Sequence, residues 1–432
     1  MSDQIARAIA KAFLAGELEP EQMAARAATA LGQKWTFLSP LARRIQRDLD
    51  GKPRPPLRHV LELLRADEGL ARAVDRNKSK LRVVTWLTGP AVMQPVEAAA
   101  GWQVPRIETP AELAAWFEIT PGELEWFADL KHFLRRPRVP AQLRHYNYRI
   151  LEKKSGGHRV IEAPKPRLKA IQRKILTGIL DAMRPHNAAH GFRKGRSIRS
   201  FTAPHAGQDV VLKLDLEDFF PSIHRARVQA LFRTAGYPEA VANLLGGLCT
   251  AVTPREIFND GNLSTPHLPQ GAPTSPALAN LCAYRADCRL RALAHKAGAE
   301  YTRYADDLAF SGGPEFARSA ERFSTLVAAI LKEEGFAVNH RKTRIMRKGV
   351  RQQLTGLVVN ARPNIRRSEY DELKAILTNC ERSRPSEQNR DKRSDFRAHL
   401  SGRVSFVESI NPGRGAKLRA IFNRIDWTLN ER

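Results

Sequence analysis

Three carboxylates in this chain are placed where they could share a pair of metal ions. Asp306 and Asp307 are adjacent in the run YTRYADDLAFS, residues 301–311, and Asp215 lies near the end of the alternating run DVVLKLDLE, residues 209–217. Adjacent like charges repel, and a divalent cation is the usual means of neutralising them. Strand-favouring residues flank Ala305-Asp306-Asp307-Leu308, so the pair reads as the tip of a β-hairpin. In the other run, period two sets Val210, Leu212, Leu214 and Leu216 on one face and Lys213, Asp215 and Glu217 on the other. Asp215 then ends a buried strand while facing an open side. Nucleotidyl transfer needs such a set: two divalent ions about 4 Å apart, one activating an attacking hydroxyl and one carrying the triphosphate, bridged by carboxylates from adjacent strands. For an isolated Asp-Asp the competing reading is a solvated turn, and the strand-end Asp215 tells against it. Asp218 reads as a solvated or capping carboxylate, whereas Phe219 and Phe220 alternate, so that one enters the core and the other faces whatever Asp215 faces.

The elements that must position these groups follow from periodicity and punctuation. Residues 1–135 read as helical: Ile5, Ile9 and Phe13 recur at helical spacing, Pro20 opens a second helix carrying Met23, Ala27 and Leu31, and Gly32 closes it. Thr109 and Thr120 are each followed by Pro and, three places on, by Glu, which predicts two short capped helices. The segment LAAWFEITPGELEWF, residues 113–127, fits a helix-turn-helix that reads nucleic acid or any packed helical hairpin. Five tryptophans, Trp35, Trp86, Trp102, Trp116 and Trp126, fall in this first third and suggest a core of its own. Arg135-Arg136-Pro137-Arg138-Val139-Pro140 resembles a linker. Beyond it, two strand-like runs surround Ser155-Gly156-Gly157, giving a hairpin crowded with Arg149, Lys153, Lys154, His158 and Arg159. Such a hairpin suits phosphates, or is an edge protected by charge.

A helix over residues 167–183 carries the stripe Leu168, Ile171, Ile175, Ile179 and Met183. GFRKGRSI, residues 191–198, could hold a phosphate or form a plain turn. A helical stretch over residues 225–250 and a polar loop lead to LPQGAPTSPALANL, residues 268–281, whose prolines leave Gln270 on an irregular segment until a helix starts after Pro276. That helix delivers the chain to the hairpin with the paired aspartates. A helix over 315–334, a turn and strand bearing Asn339 and Lys342, a short strand over 354–360 and basic helices to the end complete the chain. Residues 381–395, with no apolar anchor, read as a mobile loop.

At 432 residues and 42% apolar composition, the chain can bury a large core and divide into two or three lobes. Lys and Arg number 71 against 45 Asp and Glu, a net charge of +26 that favours a polyanionic partner. No basic amphipathic helix with a bulky apolar face stands out, which points to nucleic acid rather than a membrane surface. The absence of a long apolar run and of a signal peptide predicts a cytoplasmic protein. Cys249, Cys282, Cys288 and Cys380 lack metal-site spacing and read as thiols in a reducing compartment.

The order of RVIEAP (159–164), DLEDFF (215–220), LPQG (268–271), YADD (304–307), GFAVNHRKT (335–343) and LTG (354–356) resembles that of reverse transcriptases, over about residues 140–432. Within that superfamily GFRKGRSI, DLEDFFPSI, LPQGAPTSPALANL and YTRYADDLAFSG are most similar to bacterial retron reverse transcriptases. Such enzymes commonly carry Asn-Ala-x-x-His and Val-Thr-Gly, where this chain has Phe201-Thr202-Ala203-Pro204-His205 and Leu354-Thr355-Gly356.

The resemblance implies an α+β right-hand polymerase, with a helical extension over residues 1–135, fingers and palm over 140–362 and a helical thumb over 363–432. It implies two Mg²⁺ ions held by Asp215, Asp306 and Asp307 with the Leu216 carbonyl. Arg159 and Lys169 would neutralise the incoming dNTP triphosphate, and Phe220 would lie under the sugar and exclude a 2′-hydroxyl. Gln270 would touch nucleotide or template, and Lys342 would protonate the leaving pyrophosphate. His205, Leu354, Thr355 and Gly356 would help hold RNA or primer, and Lys417, Arg419 and Arg424 would close on the template-primer duplex along its phosphates.

A retron likeness further implies reverse transcription of a cognate noncoding RNA from an internal 2′-hydroxyl, a branched RNA–DNA product, and antiphage defence with a separate effector protein. Two alternatives stand beside it. One is a group-II-intron-like or abortive-infection reverse transcriptase, against whose full intron form the chain's end soon after the thumb tells. The other is an RNA-binding scaffold with an unused polymerase site, against which the intact aspartates tell.

Overall fold

The computed structural model describes residues 2–49, 55, 57–78, 80–87, 92–136, 139–153, 156–259, 261 and 263–430. Pro137 and Arg138 of the expected linker, and Lys154 and Ser155 of the expected hairpin turn, lie outside the described residues. No helix among the described residues is long and apolar enough to cross a membrane.

The chain divides into two compact units at Gln94 and Pro95. The first is a set of short helices, α1 (Ser2–Leu14), α2 (Pro20–Leu31), α3 (Leu38–Asp48), α4 (Leu57–Ala66) and α5 (Glu68–Arg76). Ile5, Ile9 and Phe13 of α1 meet Met23, Ala27 and Leu31 of α2 in its core. Gly32 ends α2 in the left-handed conformation, φ 78°, as its place after the apolar stripe predicts. Arg26 reaches back from α2 to the carbonyls of Ala12 and Phe13 at 2.8 and 3.0 Å, satisfying the end of α1. This core is aliphatic rather than indole-built: Trp35 packs at its margin and Trp86 is 43% exposed.

The boundary lies well before residue 135 because the next two helices belong with the rest of the chain. These are α6 (Pro110–Phe117) and α7 (Pro121–Ala128), capped by Thr109 and Thr120 as expected. Their buried Leu113, Leu124 and Ala128 pack inward. Gly247 lies so close to Ala128 that a Cβ on it would meet the carbonyl oxygen at 2.3 Å, and a Cβ on Gly178 would meet the Trp116 ring at 2.7 Å. The segment 113–127 is therefore a packed helical hairpin.

The second unit continues with β1 (Tyr146–Glu152), β2 (His158–Pro164), α8 (Pro166–Gly178), α9 (Ile198–Thr202), β3 (Val210–Glu217), α10 (Arg225–Thr234) and α11 (Glu239–Cys249). The helix expected over 225–250 breaks in two at Gly236, φ 98°, and Pro238. Then come α12 (Ser275–Cys282), α13 (Tyr284–Lys296), β4 (Ala299–Tyr304), β5 (Asp307–Gly312), α14 (Pro314–Glu333), β6 (Ala337–Val338) and β7 (Arg344–Arg347). Strands β4, β5 and β3 lie side by side and antiparallel, and the far edge of β3 pairs with β7 along its first half and β6 along its second. Val210, Leu212, Leu214 and Leu216 are all buried in this sheet, as their alternation predicts.

The expected single strand over 354–360 is a tight hairpin, β8 (Gln353–Leu354) and β9 (Leu357–Val358), turning on Thr355 and Gly356 at φ 42° and 89°. Helices α15 (Arg367–Arg382), α16 (Pro385–Gln388), α17 (Phe396–Ile410) and α18 (Pro412–Arg424) follow. Leu373, Leu377, Leu400, Val404, Leu418 and Phe422 form their core. Within 381–395, Pro385 is buried and opens α16, so the segment has an anchor that its polar composition hid.

Candidate active site

The catalytic candidates meet at the hairpin between β4 and β5. Tyr304 pairs with Asp307, leaving Ala305 and Asp306 as a two-residue turn. Ala305 has φ 56°, a conformation normally given to glycine at this hairpin position and costing a residue with a Cβ roughly 1–2 kcal/mol. Several contacts hold the turn in place. The Leu216 N–H donates to the Asp306 carbonyl at 2.9 Å, and Arg303 Nη1 donates to the Ala305 carbonyl at 3.0 Å. Gly191 lies against the same turn, where a Cβ would meet Ala305 N at 2.6 Å.

Arg303 is the keystone of this support. It is 1% exposed, and its Nε and Nη2 donate to the two oxygens of Asp287 at 2.8 and 2.7 Å. Its Nη1 also donates to Asn280 Oδ1 at 3.0 Å, while the Tyr301 hydroxyl donates to Asp287 at 2.8 Å. A buried pair with each polar atom so engaged fixes a geometry, whatever its net stabilisation.

Strand β3 sets Asp215 directly across from Asp307 in register. Asp215 is buried, and its carboxylate accepts two hydrogen bonds from Lys342 Nζ, at 2.9 and 3.1 Å. Lys342 reaches it because the Asn339 N–H bonds the Asp215 carbonyl at 2.8 Å, clamping the segment after β6 to β3. Asp307 Oδ1 is buried and lies 2.8 Å from Lys213 Nζ, without an aligned hydrogen bond. Burial, and then repulsion from Asp307 and Asp215, raise the Asp306 carboxyl above the usual carboxylate range. The hydrogen bond to Asp215, opposed by partial burial, raises the Lys342 ammonium. Two lysines thus face two of the three aspartates.

Among the described residues, no three His, Cys, Asp or Glu side chains stand ready-grouped around one metal position. The donor set nevertheless suits hard divalent cations: two carboxylates on neighbouring strands and a third at the adjoining turn, that third one held above its ordinary pKa by burial and by the others' charge, and one buried oxygen with no hydrogen-bond donor aligned to it.

Asp215 and Asp306 open into a cleft of about 1070 Å³, which Arg159, Leu216, Phe220, Gln270 and Lys342 also line. Of the two phenylalanines, Phe219 is buried and Phe220 faces the cleft, as their alternation predicts. Gln270 is held there because its carbonyl accepts the Glu162 N–H at 2.8 Å, and Glu162 is itself buried 3.0 Å from His267.

Other expected site residues lie elsewhere. Lys169 is exposed on α8 and does not line the cleft. His205 is fully buried, its ring nitrogens 2.7 Å from Ser311 Oγ and Thr302 Oγ1. Burial lowers its pKa to about 3, so it is a neutral bridge behind β4 and β5 rather than a direct contact for RNA. Leu354 is core, packed with Phe201 and Val211, and only Thr355 and Gly356 reach the hairpin tip. In the C-terminal helices, Arg419 is engaged by Glu408 and Arg424 by Glu381, whereas Lys417 is exposed.

Sequence reasoning passed over Arg303, Asp287, Asn280 and Gly191. The available signal was that Arg303 shares an inward strand face with Tyr301, two residues away.

The chain matches the family model described as reverse transcriptase (RNA-dependent DNA polymerase) over residues 151–370. It is 40% identical over 326 residues to the retron Mx65 reverse transcriptase of Myxococcus xanthus, covering 74% of this chain and 72% of that one. Similarity extends to the retron Mx162 reverse transcriptase of the same organism, at 35% identity over 75% of this chain and 68% of that one. The retron Ec86 reverse transcriptase of Escherichia coli is 32% identical, over 65% of this chain and 82% of that one.

Proposed function

The chain belongs to the reverse transcriptases of retron type, RNA-directed DNA polymerases, and from that premise we propose that it copies a cognate structured noncoding RNA, starting from an internal 2′-hydroxyl and leaving a branched RNA–DNA product. The observation that carries the polymerase chemistry is the register of Asp215 against Asp307, with Asp306 at the adjoining turn, on a cleft also lined by Arg159 and Gln270, and the retron product rests on the likeness to retron reverse transcriptases. In a right-hand arrangement, β1, β2 and α8 are the fingers, the sheet around β3 the palm, and α15 to α18 the thumb. The substrates are dNTPs and a template-primer duplex, the place of action is the cytoplasm, and the biological use is defence against phage with a separate effector protein.

Divalent ions, Mg²⁺ in this reading, when held by Asp215, Asp306 and Asp307 with the Leu216 carbonyl, supply positive charge that favours the ionised attacking hydroxyl and offsets the triphosphate. The chain's own groups do the rest. Arg159 meets the triphosphate from β2, as cations do in phosphoryl transfer. Phe220 lies under the sugar, where a 2′-hydroxyl has no room. Gln270 contacts the nucleotide or template from a loop pinned to β2. Lys342, already charged and hydrogen-bonded to Asp215, gives its proton to the departing pyrophosphate.

That last role predicts the behaviour of Lys342→Met. Single-turnover insertion should slow by about a hundredfold, the loss of one general acid, with the dNTP concentration for half-maximal rate little changed. A rate unchanged at saturation, with weaker dNTP binding, would make Lys342 a binding cation only.

The proposal as a whole is tested by expressing the protein with its native flanking DNA and sequencing the small single-stranded DNA, with and without RNase. A short DNA joined to RNA is expected, and none from the Asp306→Ala, Asp307→Ala protein. Aspartate-dependent DNA without an RNA branch would replace the retron product with that of another bacterial reverse transcriptase.

A further inference from the structure

Phe192 shares the cleft with Phe220, and its conformation is strained. Its backbone is left-handed, φ 57°, where a side chain crowds the carbonyl that follows it. Its ring is 50% exposed, although an apolar ring gains nothing from water. Neighbouring bonds leave the backbone no other course. Arg303 N–H donates to the Ala188 carbonyl and His190 N–H to the Arg303 carbonyl, each at 2.7 Å. Asn280 Nδ2 donates to the Gly191 carbonyl at 2.7 Å, and Gly191 is wedged against the turn of the catalytic hairpin. The residue that follows is thereby fixed relative to Asp306.

From that position the Phe192 ring stands 6.1 Å from the Phe220 ring, tilted by 52°. Phe220 also meets Phe219 at 5.7 Å, and Phe219 is itself buried against Phe336. Phe220 therefore has one immovable neighbour from its own strand end and one supplied by a strained loop. Strain retained beside a ligand cleft calls for a use.

We infer that Phe192 is a specificity-determining residue of the polymerase: it buttresses Phe220, keeping that ring in the rotamer that leaves no room for a ribose 2′-hydroxyl. The inference rests on the sugar-facing role proposed for Phe220. Without Phe192 the Phe220 ring loses one of the two aromatic neighbours that limit its choice among staggered rotamers, and exclusion that depends on a fixed ring weakens. A ring that stacked directly on a base would instead favour deoxy and ribo substrates alike.

The test is single-nucleotide insertion by the full chain on an RNA template with a DNA primer, comparing kcat/KM for a matched dNTP and its NTP. The proteins are the wild type, F192A, F192L, F192Y, F220A and F192A/F220A, with thermal melting run on each. Phe192→Ala should lower the dNTP-over-NTP ratio by about three- to tenfold, the scale of one aromatic contact. F192L should fall between, F192Y should stay near wild type, and F220A should lose most. The double variant should lose no more than F220A alone, because the two act as one unit. Loss of both substrates in equal measure from F192A and F192L, or additive losses in the double variant, would overturn the buttress. An F220A protein with its ratio intact would overturn the sugar-facing role of Phe220, and this inference with it.

Discussion

Asp306→Asn should abolish DNA synthesis while making the metal-free protein more stable. Loss of a metal-holding carboxylate removes several kcal/mol of transition-state stabilisation, so insertion should slow by about a thousandfold or more. The stability effect has the opposite sign. Asp306 has a raised pKa in the fold because of burial and of its neighbours Asp307 and Asp215. The stability it contributes is full below its unfolded pKa and is lost as the pH rises through the raised folded value. Once ionised, the side chain therefore opposes folding, and asparagine, of the same shape and without charge, removes that opposition. Melting curves in EDTA and in Mg²⁺ separate the two effects. Added Mg²⁺ should raise the Tm of the wild type and do less for Asp306→Asn, reversing their order. If asparagine lowered the Tm in EDTA, Asp306 would be a structural ligand of the turn and not a strained functional one.

Arg303→Met should destabilise the second unit severely and stop synthesis. The substitution leaves Asp287 buried without its cation, a loss of about 3–5 kcal/mol, and removes the donor that holds the Ala305 carbonyl. A triple variant, Arg303→Met, Asp287→Leu and Tyr301→Phe, discriminates between these consequences. It replaces the buried ion pair and the hydroxyl bonded to it by apolar groups, leaving Asn280 and the Ala305 carbonyl without the Arg303 donor, and such exchanges of a buried pair are commonly neutral or stabilising. The Tm should return to near the wild-type value while insertion stays at least about tenfold impaired, the scale expected when a positioning contact is lost. Recovery of both would reduce Arg303 to a packing residue. Recovery of neither would mean that the pair is needed to fold the hairpin at all.

Much of this site was legible in the sequence because short-range rules govern it. The hairpin at Asp306, the alternation that buries Phe219 and turns Phe220 to the cleft, and the caps at Thr109 and Thr120 each depend on residues within a few positions. What was hidden depends on closure. An arginine in a strand reads as a solvent-facing side chain, and nothing local says that Asp287, on a preceding helix, will neutralise it. His205 reads as a polar residue free to meet RNA, and only the sheet's arrangement surrounds it with Ser311 and Thr302. Lys169 follows from the motif order, whereas in the fold it is exposed on α8 and is not among the residues that line the cleft. The lobe boundary was set by composition at residue 135, but two helices before it are held by glycines more than forty residues further on.

The lysines opposite Asp215 and Asp307 bear on when the enzyme becomes competent. Lys213 stands on β3, the strand paired with that of Asp307, and Lys342 follows β6, which pairs with the β3 strand of Asp215. Each sets a positive charge against its aspartate, so the strands that carry these carboxylates can close on one another before any cation is held between them. Folding of the site is then separated from its loading with cations.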